Sequence, residues 1–316
     1  MNTKINQLQN IFVFGYIFCI ICLMEVRNIK VSLTPRSDTI FKAIFGDQRN
    51  INILARFLRA IFEQSPIKIE FSELKIADTN LIADNKDERN SAVDVLAITD
   101  KGEKIDIEIQ INDHNDIQKR TVFYASRMTT NQVTKQVKLE ERYRNIKTVI
   151  VIAILDFKIR FDDDKYFHGN ILKDMIDNKI YTDVEQIYTL ELPKIPVNDD
   201  NKELWTWLKF LKSNTFDEAK KLKNKIPEVD EAMSIYENFI SDEELKSIAE
   251  TREMKYKLDR NEWIAEGETN AKIEAVISFA KTGMSLTQIC QTLNVNENIK
   301  NQAINKLNEM GIKYNA

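Results

Sequence analysis

The chain is poor in the residues that interrupt helices, with seven glycines and five prolines in 316 residues. Long helices are therefore expected to carry much of its mass. Three cysteines, Cys19, Cys22 and Cys290, exclude a disulfide framework and fit a reducing, cytoplasmic setting. The Cys-x-x-Cys at 19 and 22 has no second pair and no histidine near it, which argues against a zinc or redox site. The two histidines, His114 and His168, do not stand at ligand spacing to another histidine or cysteine and are read as structural. An excess of either charge is missing too. A net charge of −4 excludes nucleic-acid binding by the whole surface and leaves that task to a local basic patch. The one long apolar run, residues 11–23, is too short to span a bilayer comfortably as a helix and lacks a small-residue cleavage site. Met24 follows at once. Residues 1–30 are expected to be an apolar extension, untranslated in the native protein or unstructured, and membrane association is not expected.

What is present suffices for a core, at 43% apolar and 30% charged residues. The most informative stretch is 91–111, SAVDVLAITDKGEKIDIEIQI. Alternating polarity on its second arm, with Asp100, Lys101 and Gly102 between the arms, predicts a hairpin closed by a left-handed glycine. With Lys101 at the apex, Thr99 faces Glu103 and Asp94 faces Glu108, while Ile105, Ile107, Ile109 and Ile111 turn into the core. Like charges opposite one another, with side-chain roots about 5 Å apart, oppose folding unless something compensates. A divalent cation compensates, and a few hard oxygens completed by water suit magnesium.

Ser37–Gln64 has helical periodicity, with Ile53, Leu54, Phe57, Leu58, Ile61 and Phe62 on one stripe and Gly46 dividing it in two. Asp38 stands in the first turn, either as an acid favoured by the helix dipole or as one aimed at the metal site. Strands are expected at 68–76 and 80–83, followed by a polar loop at 84–90 whose Lys86 and Arg89 are within reach of phosphate. A helix is expected from Asn115 to about Leu139, with Arg120 and Tyr124 on one face. Residues 119–147 hold eight bases against two acids, interleaved with Tyr124 and Tyr143. That is the pattern of a surface tracking a nucleic-acid backbone, or of a solvated helix face. Residues 147–155 read as a strand buried on both faces, and a strand pair follows at 167–172 and 185–192.

From 202 onward helices are expected: one marked by Trp205, Leu208, Phe210 and Leu211, others over 228–240, and a long charged one from about 241 to 282, bent near Gly267. The end suggests two short helices, with Leu286, Ile289, Cys290 and Leu293 facing Ile299, Ala303, Ile304 and Leu307. The spacing is that of a helix-turn-helix, but the near-neutral charge favours packing or interaction over DNA reading.

In this order, SDTIFKAIFG (37–46), SAVDVLA (91–97), DIEIQ (106–110), RTVFYAS (120–126), the strand at 147–155 and ELPK (191–194) resemble the PD-(D/E)xK nuclease superfamily. More narrowly, they resemble the Rpn family of recombination-promoting nucleases, also described as transposases. The resemblance implies an α/β fold, a restriction-endonuclease-like core of mixed sheet flanked by helices over 31–200, with an all-helical region over 201–316. It implies magnesium, or manganese in its place, on Asp94, Glu108 and the carbonyl of Ile109. Gln110 takes the place where the superfamily usually has lysine; an amide cannot act as a cationic base but can hold a water. Asp38 matches the acid of the first helix. Lys42, Arg120 and Tyr124 match recurring positions to which no firm role attaches.

The expected activity is metal-dependent DNA endonuclease, linked by resemblance to recombination or mobile elements. Asp94, Glu108, Gln110 and Asp38 would form the catalytic group, and Arg89, Arg120, Tyr124 and Arg127 would hold DNA. No small-molecule cofactor is expected. A homodimer fits double-strand cutting by one active site per chain. The alternatives are an inactive nucleic-acid or protein-binding module on the same fold, and a strand-transferring transposase.

Overall fold

The computed structural model describes residues 32–78, 93–113, 115–133, 141, 143–198 and 202–315, with the backbone alone at 202, 256–257, 259–266 and 268. Residues 1–30, the strand expected at 80–83, the loop 84–90 with Arg89, and His114, Lys135, Lys138 and Arg142 lie outside the described residues.

Val95–Thr99 (β2) and Lys104–Gln110 (β3) pair antiparallel in the register that the turn predicts, with Val95 opposite Ile107 and Leu96 opposite Asp106. Gly102, at φ +86°, closes the turn by donating its N–H to Thr99 O at 3.0 Å, a conformation that costs an L side chain strain. The apolar run Val149–Leu155 (β4) lies parallel to β3, and all seven of its residues are buried, as befits a central strand. Ile180–Glu191 (β6) runs parallel to β4, while Leu74–Ala77 (β1) and Phe167–Lys173 (β5) form the edges. Among the described residues the sheet has six strands in the order β1-β2-β3-β4-β6-β5. This is the mixed, helix-flanked core expected.

Each face of the sheet has its own helices. Odd-numbered residues of β3 and even-numbered residues of β4 meet Asp38–Phe45 (α1), Ile51–Glu63 (α2), Lys202–Lys212 (α4), Phe216–Lys220 (α5) and Pro227–Ser241 (α6) in one apolar cluster. The opposite face carries Ile117–Thr130 (α3), whose Tyr124, Ala125 and Met128 lie on Leu96, Val149 and Val151. Gly46 divides α1 from α2 as the periodicity predicts. A Cβ there would stand 2.8 Å from the carbonyl oxygen of Lys42, the acceptor of Gly46's own N–H.

Several expectations are corrected. β1 begins at Leu74 rather than Lys68, because the amides of Ser72 and Glu73 are taken by the Asp100 carboxylate and not by a strand. Ile111 lies past the end of β3 and is 37% exposed. In α4 it is Trp207 that is fully buried, whereas Trp205 lies half-buried with its indole N–H on Pro196 O at 3.0 Å. α3 ends at Thr130, short of Leu139.

The described residues form two compact units, one up to Thr251 and one from Arg252 on. Although strands stop at Glu191, residues 204–236 share the first unit's core with the sheet. Glu243–Lys281 (α7) is one unbroken helix; Gly267 within it costs about 1 kcal/mol against alanine but leaves the hydrogen-bond ladder whole. In the second unit, Leu286–Thr292 (α8) and Glu297–Glu309 (α9) bury Leu286, Ile289, Ile299, Ala303 and Leu307 against Ile273, Val276, Ile277 and Ala280 of α7. Cys290, expected in that cluster, is only half-buried. No helix among the described residues is long and apolar enough to cross a membrane.

The turn at Gly102 generates a test of the hairpin. Gly102→Ala is expected to lower stability by about 1–2 kcal/mol, read as a lower urea midpoint at unchanged slope.

Candidate active site

Alternation along β3 puts Asp106, Glu108 and Gln110 on the face that α3 covers. Asp94 stands one residue before β2, opposite Glu108 in the continuing register. Main-chain amides lock the two acids together. Asp94 N–H donates to Glu108 Oε1 at 3.0 Å, and Ile109 N–H donates to Asp94 Oδ2 at 3.0 Å.

The second oxygen of each acid faces a cation. On α1, Ile40, Phe41, Ile44 and Phe45 are fully buried, which turns Asp38 and Lys42, one helical turn apart, to the other face. There the Lys42 ammonium lies 3.2 Å from Asp94 Oδ1 and 2.6 Å from Asp38 Oδ1. The ring of Phe45 packs 5.1 Å from Phe57 and 6.0 Å from Trp207, so this helix is set by its core side. Arg36, just before it, binds Asp156 at 2.9 Å and the carbonyls of Leu211, Lys212 and Ser213 at the end of α4. From α3, Arg120 approaches Glu108 Oε2 at 3.7 Å and donates to Gln110 Oε1 at 3.3 Å and to the Tyr124 hydroxyl at 3.2 Å. Gln110 Nε2 donates to Glu108 Oε2 at 3.4 Å.

Burial dominates the electrostatics. The Glu108 side chain is 2% exposed. Desolvation, then the charge of Asp94, raises its pKa to about 8 against Arg120 and Lys42. Burial likewise lifts Asp94 above the usual carboxylate range, against the pull of Lys42 and the amide of Ile109. Asp106, one strand step below Glu108, is completely buried, and neither of its oxygens finds a hydrogen-bond partner among the described residues. Burial and the fields of Glu108 and Asp94 push it well above the ordinary value. Lys42 loses some basicity to burial, but Asp94 and Asp38 more than restore it.

The structure thus brings together Asp94, Glu108, Ile109, Gln110, Arg120 and Tyr124, with Asp38 joined through Lys42 rather than aimed at the acids directly. Arg127 lies farther along α3, its guanidinium 5.7 Å over the Phe123 ring. Arg89 is outside the described residues. Of the basic segment, Lys119, Tyr143, Arg144 and Lys147 are exposed. His168 binds Lys165 O at 3.1 Å and Asp163 at 3.3 Å, apart from this group. Asp106 is the residue that sequence reasoning passes over; its parity with Glu108 and Gln110 is the signal that could have found it.

The acids suit a small hard cation, since each points an oxygen at an ammonium or a guanidinium and ionises poorly without more positive charge. Among the described residues no cluster of three or more His, Cys, Asp or Glu side chains could hold a metal. A cation here would therefore draw on two carboxylates, a main-chain carbonyl and water, a donor set that magnesium accepts.

A family model described as PD-(D/E)XK nuclease family transposase matches residues 35–267. No curated protein and no solved structure matches the chain.

The raised pKa of Glu108 sets a pH dependence. Between the ordinary 4.5 and about 8, the folded chain keeps a proton that the unfolded chain has lost. The stabilising contribution is whole below pH 4.5 and disappears as pH rises toward 8. Glu108→Gln, which cannot ionise, is expected to melt higher than wild type at pH values above 8 in the presence of a chelator. The gap should close toward pH 4.5, as read by scanning fluorimetry.

Proposed function

The chain belongs to the PD-(D/E)XK nuclease family transposases, and on that premise we propose that it is a metal-dependent DNA endonuclease of the cytoplasm. The observation that carries this reading is the reciprocal locking of Asp94 and Glu108 by each other's strand at 3.0 Å. It presents a buried Glu108 and a half-buried Asp94 on one side of the sheet, with desolvation opposing the charged form of each. Asp94, Glu108 and the carbonyl of Ile109 are the residues that would hold magnesium or manganese. When bound, such an ion polarises the scissile phosphate and lowers the pKa of a water.

The rest falls to side chains. Gln110, anchored between Glu108 and Arg120, orients the attacking water with its amide. Arg120 and Tyr124 steady the strand beside the acids. Arg127, with Arg89 from the preceding loop, neutralises phosphates farther out. Two active sites on a homodimer would cut both strands, and the family's name supports a link to DNA mobility.

Supercoiled plasmid with magnesium or manganese tests the proposal. Asp94→Asn and Glu108→Ala are each expected to lose roughly a hundredfold or more in cleavage, the several kcal/mol that a metal supplies, while still shifting DNA in a gel. Wild type that never nicks plasmid with either ion, yet binds it, would leave a binding module on this fold. Joined rather than merely cut ends would mark a transposase. Arg127→Ala is expected to weaken binding about equally on all sequences and to lower the slope of log affinity against log salt by about one.

A further inference from the structure

Gln110 brings no charge to the acids, and both ends of its amide are already engaged, with Glu108 and with Arg120. Positive charge comes instead from the two flanking helices, and the two cations differ in what they have left to give. Arg120 is committed to Gln110, Tyr124 and Glu108, with its guanidinium carbon 5.7 Å over the Tyr124 ring. Lys42 keeps 42% of its side chain open to solvent. An ammonium has three rotatable donors on a flexible stem; Asp94 and Asp38 take two, which leaves one for an incoming oxygen. Asp38 is 47% exposed and pairs with the same ammonium at 2.6 Å. Lys42 also sits on a helix that its aromatic core fixes without help from the ion pair.

We propose that Lys42 contacts the scissile phosphate and supplies, from the first helix, the charge that an amide at 110 cannot. Asp38 acts through Lys42, as a positioning residue that keeps the ammonium beside the acids. The inference rests on the nuclease reading and names the side chain that meets the charge of its transition state. In the hydrolysis, the water oxygen bonds to phosphorus as the bond to the leaving oxygen breaks. The water's protons pass to solvent, and solvent protonates the leaving oxygen. Lys42 neither gives nor takes a proton; its charge offsets the one growing on the phosphoryl oxygens. Lys42 and a divalent ion would compete for Asp94 Oδ1, so removing the ammonium should help metal binding while it harms turnover. A lysine that merely braced α1 would do neither.

The test uses the full chain and Lys42→Met, Lys42→Arg and Asp38→Asn. Three quantities are measured: single-turnover plasmid cleavage with magnesium, DNA affinity in calcium, and manganese binding by calorimetry without DNA. Lys42→Met is expected to cleave about a hundredfold more slowly, the usual loss for one transition-state contact. It should fold as wild type does, lose no more DNA affinity than one phosphate contact accounts for, and bind manganese more tightly. Lys42→Arg should recover part of the rate, and Asp38→Asn should fall between wild type and Lys42→Met. Lys42→Met cleaving within about threefold of wild type, while Asp94→Asn is inactive, would overturn the inference and leave the nuclease reading standing. Weaker manganese binding by Lys42→Met would also overturn it, since the lysine would then serve to hold Asp94 in place. Wild type that cleaves nothing would sink the nuclease reading and this inference with it.

Discussion

Two carboxylates on neighbouring strands each accept a hydrogen bond from the other's strand, Asp94 N–H to Glu108 and Ile109 N–H to Asp94. Side-chain rotation cannot separate them without stranding two amides. Their repulsion can be relieved only by a proton or a cation, and that choice shapes the surroundings. β4 continues the sheet beside β3 with seven buried apolar residues. It keeps water from the acids' flank and raises the energy of leaving both charged.

The helices on either face answer with positive charge by different routes. α1 is pressed into the core by Phe41 and Phe45 and is tied at its start by Arg36 to the ends of β4 and α4. Its polar edge then has one place to go, above Asp94. α3 lies on the other face, where Tyr124 and Met128 bury against the sheet and Arg120 is left at the rim beside Glu108. Rigid packing on one side of each helix thus fixes an otherwise flexible cation on the other.

The hairpin was legible because its signals are local: a glycine that must turn left-handed, and an alternation that assigns each residue a face. The central strand and the stripe of α2 were legible for the same reason. Lys42 was marked by resemblance alone and without a role, because its approach to Asp94 depends on how a helix packs onto a sheet some fifty residues away in the chain, which no periodicity records. Asp106 was passed over because a buried acid without a partner breaks the rule by which cores are recognised. The alternation that suggested a strand from Lys68 was genuine, but Asp100 claimed the amides such a strand needs. Trp207 shares its stripe with the buried Leu204, Leu208 and Leu211, and Trp205, two residues away and about 200° round the helix, falls on the outer side.

Asp106 bears on how robust this protein can be. A fully enclosed acid whose oxygens reach no partner among the described residues weakens the fold it sits in. An apolar side chain of similar volume would pack there with less strain on the sheet. Such a replacement would also change the field felt by Glu108, because the two share a strand face and influence each other's protonation. Thermal tolerance and chemistry therefore draw on the same small volume, and engineering for durability at this spot would retune the acids above it.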